Sequence, residues 1–407
     1  MGETSVDPSR NTPSEDIGWP IAPKAMLRFE EAEYQARIDR AVAQLSARGL
    51  TGILLFNQES MYYLTGYDTM GYITFQCLYL GADGRLSLLT RAPDLRAARL
   101  TSIIEEVHLL PDRADVAPAD ELRAMVAGFG VTGERLGIER DAIGVKVSQY
   151  LAIEAAFGAD RLVPADDLVA GLRLVKSPAE LVFVRKAAAL GDAALRKALE
   201  VIRPGCSESE LLARMQAEVF LGGGDYASSR WIVGTGQHAL LVRHFAGHHN
   251  TIAEVDQVQL EFGAAYLHYH ACLFHTVYVG QASARQRQLR QVAIEALEAA
   301  KAACRPGQPV ESLFHAYAGL CDEAGLRDCR LNACGYSLGA KYPPSWMDGN
   351  LICAGNQTPL EPNMVFFPHM VLLDGEAGVT GCAGETILVT EDGCEGLSTV
   401  PHELYLR

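Results

Sequence analysis

The residue in this chain with the most chemical potential is a glutamate set in an apolar strand pattern. Glu261 stands in Val258-Gln-Leu-Glu-Phe262, where alternation puts Val258, Leu260 and Phe262 on one face and Gln259 and Glu261 on the other. A carboxylate in such a segment is ion-paired, solvated on an open sheet face, or engaged in chemistry. His244, in Leu241-Val-Arg-His-Phe245, carries an imidazole that can exchange protons near neutral pH. Alone it reads as a surface-loop histidine, as do His248 and His249. His268 and His270 lie two apart on one strand face, a spacing that also suits a metal pair. Gly234-Thr-Gly236 lacks both the following Gly-Lys-Ser/Thr and a third dinucleotide-motif glycine, so phosphate cradling is not expected there.

These groups need a scaffold, and the composition supplies an ordinary one. The 407 residues are 49% hydrophobic and 21% charged, enough for two globular domains. A formal net charge of -15 disfavours generic nucleic-acid or anionic-membrane binding, since both need clustered basic residues. A small-molecule substrate is the default. No apolar run approaches the length of a bilayer span, and the first residues lack a signal pattern. The ten cysteines contain no CxxC pair, which points to free thiols in a reducing cytoplasm.

The elements that must position the candidates follow from periodicity and caps. Phe29 to Gly49 has helical periodicity and ends on a glycine, Gly52 to Phe56 reads as a short buried strand, and ITFQCLYL with RLSLLT reads as a hairpin around Gly81-Ala-Asp-Gly84. Ser177-Pro-Ala-Glu180 offers an N-cap serine, a first-turn proline and a capping-box glutamate, so a helix is expected to start there and run to about Ile202. Ser207 and Glu210 open a second. Strands dominate from Ser228 to Gly280, helices follow at about Ala284 to Cys304 and Val310 to Ala324, and strand-and-loop sequence fills the remainder. This organisation predicts an arm over 1–25, a small α/β domain over 26–172 and a second domain over 173–407.

The hairpin Val255 to Gly280, the segment LRLVKSPAELVFVRKAA and the closing ETILVTEDG together resemble the M24, or pita-bread, superfamily that includes methionine aminopeptidase, prolidase, aminopeptidase P and creatinase. The resemblance covers roughly residues 30 to 400. It implies an α+β fold: a creatinase-like N-terminal α/β domain followed by a pita-bread catalytic domain. The family's five metal-ligand positions fall on Glu261, Cys272, Tyr336, on or beside His369, and on Gly384 next to Glu385. Paired divalent metals want several carboxylates and an imidazole at fixed separation, so the substitutions imply no metal and no cofactor. MYYLTGYD, the LEF strand start, YHA and GYSLG followed by YPPSW look most like the metal-free ectoine hydrolase group. The chain departs from that group at Met347-Asp348.

That resemblance implies catalytic roles for Glu261 and His244, with His369 and Glu385 pointing into the same cavity. It further implies substrate contacts from His270, Tyr336, Trp346 and Asp348. The family's dimers bring the segment carrying Tyr67, Asp68 and Phe75 over the neighbour's site, so a capped homodimer is expected. Arg230 or Arg243 suits a substrate carboxylate held in a two-point fork. The chemistry expected is hydrolysis of a C–N bond in a small zwitterion bearing an amidinium or guanidinium, whose parallel N–H donors match a carboxylate. Glu261 would attack the electrophilic carbon or orient water, and His244 would carry the proton to the departing nitrogen. Two other classes stay open: a dipeptidase-like metallohydrolase using His244, Glu261, His270, His369 and Glu385 as ligands, and a non-catalytic pita-bread binding protein.

Overall fold

The computed structural model describes residues 22–247 and 250–407. The chain divides into two compact units, Met1–Ala165 and Asp166–Arg407, a division ahead of the expected one between 172 and 173. Most of the expected N-terminal arm, with His248 and His249, lies outside the described residues.

The first unit is a six-stranded sheet with helices. Its strands are β1 (Gly52–Leu55), β2 (Cys77–Gly81), β3 (Leu86–Arg91), β4 (Glu106–Leu110), β5 (Leu136–Ile138) and β6 (Leu162–Pro164), in the order β4-β3-β2-β1-β5-β6. Helix α1 (Glu31–Ala47) carries acidic residues in its first turn, which favour the helix dipole, and the chain leaves it through Gly49 at φ 63°. Helices α2 (Gln58–Thr65), α3 (Leu95–Thr101), α4 (Pro118–Ala127) and α5 (Val147–Phe157) complete the unit. The expected hairpin forms as antiparallel β2–β3, but its first strand starts only at Cys77.

The structure corrects the substrate-capping role expected of Tyr67 and Phe75. Tyr67 is fully buried, and its hydroxyl bonds Gln76 and Thr90. Phe75 packs edge-on against Phe56 within the unit's core. Side chains sealed in their own core have no face left for another site. Asp68 is half-buried beside α3, where its backbone N–H donates to Thr101.

The second unit opens with α6 (Asp166–Leu174), α7 (Pro178–Val201) and α8 (Glu208–Leu221). The expected capping box closes on α7, with Ser177 Oγ accepting from Glu180 N–H and Glu180 Oε2 accepting from Ser177 N–H at 2.9 Å. The other oxygen of Glu180 accepts from the Tyr269 hydroxyl at 2.9 Å, which ties the helix start to the sheet. Then come β7 (Ile232–Thr235), β8 (Asp256–Tyr266), β9 (Tyr269–Val279), α9 (Ala284–Ala303), α10 (Glu311–Glu323), β10 (Ala333–Ser337), β11 (Leu351–Cys353), β12 (Val365–Asp374) and β13 (Val379–Glu385). Their sheet runs β11-β10-β12-β13-β9-β8-β7. Helices α7 and α9 pack on one face of it: Leu273 lies against Gly191 of α7, and Gly381 sits under Leu289 and Arg290 of α9.

The β8–β9 hairpin sets the geometry of everything that follows. It pairs in unbroken register from Asp256↔Val279 to Tyr266↔Tyr269, so its side chains are committed to one face or the other. The two turn residues, Leu267 and His268, both have positive φ, as a two-residue hairpin of this hand requires. Asp225 accepts the His268 N–H at 3.2 Å and the imidazole stacks on Tyr342.

Candidate active site

Strand register collects the candidate groups into one transverse row. Glu261 of β8 lies opposite Phe274 of β9, Phe274 opposite Gly384 of β13, and Gly384 opposite His369 of β12. Residues directly opposite in a sheet share a face, so Glu261, Phe274 and His369 project from the face away from α7 and α9. Two residues along, Cys272 and Gly263 share that face, as do Phe367 and its partner Tyr336. Phe274, Tyr336 and Phe367 ring centroids lie 6.2, 5.5 and 5.2 Å from that of His369.

Close packing explains two of the small residues. A Cβ on Gly384 would come within 2.8 Å of the His369 Cβ, so the glycine makes room for the imidazole and a glutamate there is excluded while His369 keeps this position. A Cβ on Gly263 would meet the Cys272 thiol at 2.8 Å and the Trp346 ring at 3.2 Å. Trp346 donates its indole N–H to the Tyr336 hydroxyl at 2.8 Å, which fixes the phenol beside His369.

Burial controls the charge here. Glu261 accepts no hydrogen bond among the described residues, and loss of solvent pushes its carboxyl up to about 8, with the Arg243 charge only partly opposing this. Burial lowers His369 to about 4, and its Nδ1 has no partner among the described residues. At neutral pH this face therefore presents a largely protonated carboxyl and a neutral imidazole in an aromatic setting. Such a site welcomes a cation that can take over the carboxylate charge.

Other expected members of the site are placed elsewhere. Glu385 follows Gly384 and so projects to the opposite face, where it is buried and pairs with Lys301 of α9 at 2.9 Å; it does not share the cavity. His270 keeps the cavity face, but its Nε2 accepts the Ser228 N–H at 2.9 Å and burial lowers its pKa to about 3, a load-carrying contact for the preceding loop. The possible His268–His270 metal pair does not form, because His268 occupies the turn. Asp348 is ion-paired to Arg173 with Lys341 nearby; burial would raise its carboxyl, but Arg173, Lys341 and Lys176 hold it below the usual range. Arg230 is exposed, with its guanidinium 5.0 Å from the Phe245 ring. Arg243 is also exposed, yet it is the cation whose charge reaches Glu261.

His244 belongs to a separate cluster. Its Nε2 lies 3.0 Å from Glu208 Oε2, and its ring packs 4.6 Å from that of His238. Sequence reading missed Glu208 and His238 as well as Phe274 and Phe367 as wall residues. The two phenylalanines follow from strand alternation with Cys272 and His369, whereas nothing local links Glu208 to a loop 36 residues later.

The model of metallopeptidase family M24 matches residues 183–391, and that of the creatinase/prolidase N-terminal domain matches residues 37–175. The chain belongs to family M24. It is similar to ectoine hydrolase of Halomonas elongata, 27% identical in an alignment 402 positions long that covers 94% of this chain and 99% of the relative. It is also similar to the Xaa-Pro dipeptidase of Pyrococcus furiosus, 26% identical over 59% of this chain and 67% of that protein. Among solved structures, dipeptidase PepE of Mycobacterium ulcerans aligns with a TM-score of 0.83 at 23% identity, covering 93% of this chain and 99% of that one, which supports the fold. A metallopeptidase family implies metal. The groups on this face, one carboxyl, the imidazole of His369, that of His270 already taken by the Ser228 N–H, a thiol and a phenol tied to an indole, do not fit a pair of divalent cations. The expected set of five unconventional ligands is not assembled either, since Glu385 faces away and His244 and His270 have other partners.

Proposed function

We propose that this M24 hydrolase cleaves a C–N bond in a small zwitterion carrying an amidinium or guanidinium, without a metal ion. The observation that carries the reading is the row itself: a single carboxyl, Glu261, buried without a hydrogen-bond partner among the described residues and flanked by aromatic rings. A planar cation with two parallel N–H groups answers both features, offering the fork that a carboxylate accepts and a charge that offsets its desolvation. The similarity to ectoine hydrolase over nearly the whole chain supports the same class.

In this mechanism the substrate cation binds Glu261 in its ionised form, so the carboxyl proton is released as substrate enters. The amidinium carbon is already electron-poor and takes the new C–O bond, either from Glu261 itself or from a water that Glu261 orients. In the water route the attacking water gives its proton to the neutral imidazole, which hands it to the leaving nitrogen as the C–N bond breaks and an amide or urea carbonyl forms; in the covalent route a water must also hydrolyse the Glu261 adduct, and its proton reaches the leaving nitrogen through the same imidazole. His369 shares the row with Glu261, and His244 follows Arg243 on the neighbouring loop. Arg243 suits the substrate carboxylate, because its charge already acts on Glu261. Tyr336, held by Trp346, supplies a directed hydroxyl.

The test is an assay of metal-stripped protein, its metal content checked by elemental analysis, against ectoine, a guanidino acid and an Xaa-Pro dipeptide. The reading expects turnover of an amidine or guanidino compound that survives chelation. Dipeptide cleavage that chelation abolishes and a divalent ion restores would instead select the metallohydrolase.

A further inference from the structure

Glu208 is the first residue of α8, fully buried, and has no lysine or arginine within ion-pair distance among the described residues. Its charge is met by hydrogen bonds instead. Oε1 accepts from the backbone N–H and the hydroxyl of Thr235, at 2.9 and 3.0 Å. Oε2 accepts from His244 Nε2 at 3.0 Å, Gly247 N–H at 2.7 Å and Asn250 Nδ2 at 3.1 Å. One carboxylate thus gathers β7, which pairs with the Glu261 strand, and three positions, His244, Gly247 and Asn250, of the loop that carries Arg243.

Glu208, His238 and His244 also bring three ligand-type atoms within 4.8 Å of one another. The hydrogen bonds decide against a metal there. Both Glu208 oxygens are occupied by five donors, and His238 Nδ1 is engaged by the Asn250 amide, so a cation would have to displace a satisfied network. A carboxylate bonded to one ring nitrogen of a histidine has another consequence: it fixes the tautomer. With Nε2–H donating to Glu208, the Nδ1 of His244 is the free basic nitrogen, and it has no partner among the described residues.

We propose that Glu208 is the positioning residue of His244, holding its imidazole as the Nε2–H tautomer with Nδ1 ready to take or give a proton in the reaction proposed above. Glu208 does not touch substrate. It acts through the ring it orients, as carboxylates behind functional histidines do. The inference rests on the proton-carrying role of His244 and is separate from that of Glu261.

The experiment compares Glu208→Gln, Glu208→Asp and Thr235→Val in the full chain, with ectoine as substrate, and reads the ring ¹⁵N resonances of His244 in each. Glu208→Gln should lower kcat roughly 10- to 100-fold with KM within about threefold, and its His244 spectrum should change from one tautomer to a mixture. Glu208→Asp should recover part of the rate. Thr235→Val removes one bond of the same clamp without touching the charge; it should lower thermal stability slightly and leave kcat and the tautomer alone. Equal losses of kcat in Glu208→Gln and Thr235→Val, with the His244 tautomer unmoved in both, would overturn the proposal in favour of a loop clamp. Zinc that titrates stoichiometrically into the parent chain and not into Glu208→Gln would overturn it in favour of a metal site. Full turnover by His244→Ala beside an inactive Glu261→Gln would sink this inference alone, whereas an active Glu261→Gln would sink the wider reading while the ¹⁵N spectra still report on Glu208.

Discussion

Glu261 sits where its charge is costly. Burial raises its pKa from the ordinary 4.5 to about 8, so the folded state binds more protons than the unfolded chain between those values. The contribution of the carboxyl to stability is therefore fully present below about pH 4.5 and is lost as pH rises through 8. Replacing it by glutamine removes that loss. Glu261→Gln is expected to unfold with the parent near pH 4.5 and to be more stable by on the order of a few kcal/mol near pH 8, measured by urea denaturation at both values. Equal midpoints at pH 8 would mean that the carboxyl is better solvated or paired than the geometry indicates. At this scale the sequence was partly legible: alternation placed Glu261 opposite the face of Val258, Leu260 and Phe262. It did not reveal that Glu385 faces away from the site, because a register against β9 three strands' worth of sequence away decides that.

At the scale of elements, caps were the most readable features, since Ser177 with Glu180 and Ser207 with Glu210 are local chemistry that tertiary contacts only reinforce. Connections between distant elements were not readable. The pair between Glu385 of β13 and Lys301 of α9 is one such tie, drawn from positions 84 residues apart. Glu385→Gln should destabilise the second unit by about 1–3 kcal/mol, the scale of a charge-assisted bond lost from a buried site. It should leave kcat and KM close to those of the parent, because Glu385 lies across the sheet from Glu261. A large fall in kcat at unchanged stability would return Glu385 to the cavity. The substrate-capping expectation for Tyr67 and Phe75 failed for a related reason: both are buried in their own unit through contacts with Gln76, Thr90 and Phe56 that local sequence does not show.

The whole molecule carries several histidines that folding keeps neutral. Burial lowers His270 and His402 to about 3 and His369 to about 4, and drives His275 well below the usual range. The unfolded chain binds protons at these sites first, so their stabilising contribution is present above about pH 6.5 and is lost as pH falls toward 3 to 4. Glu261, Glu139, raised by burial to about 7, and Glu385, also raised by burial, act in the opposite sense over part of this window, but four imidazoles outweigh three carboxyls. The urea midpoint should fall between pH 7 and pH 5, by up to about 2 kcal/mol per buried histidine. A midpoint that holds or rises at pH 5 would contradict this balance. The two-domain plan was legible from the alternation of helical and strand patterns together with the family resemblance. Periodicity alone gave neither the sheet order nor the row that unites β8, β9, β13 and β12, since both depend on pairings between segments far apart in sequence.

The central claim is that the charge of Glu261, and not a metal, performs the hydrolysis. The most direct measurement is steady-state turnover of ectoine by metal-stripped parent protein and by metal-stripped Glu261→Gln, with substrate binding followed by calorimetry. The account predicts an active parent and a variant that loses both binding and turnover, on the order of several kcal/mol of transition-state stabilisation, because the amide keeps the shape but not the charge. Near-normal kcat in Glu261→Gln, or a parent that turns over only when a divalent metal is restored, would contradict it.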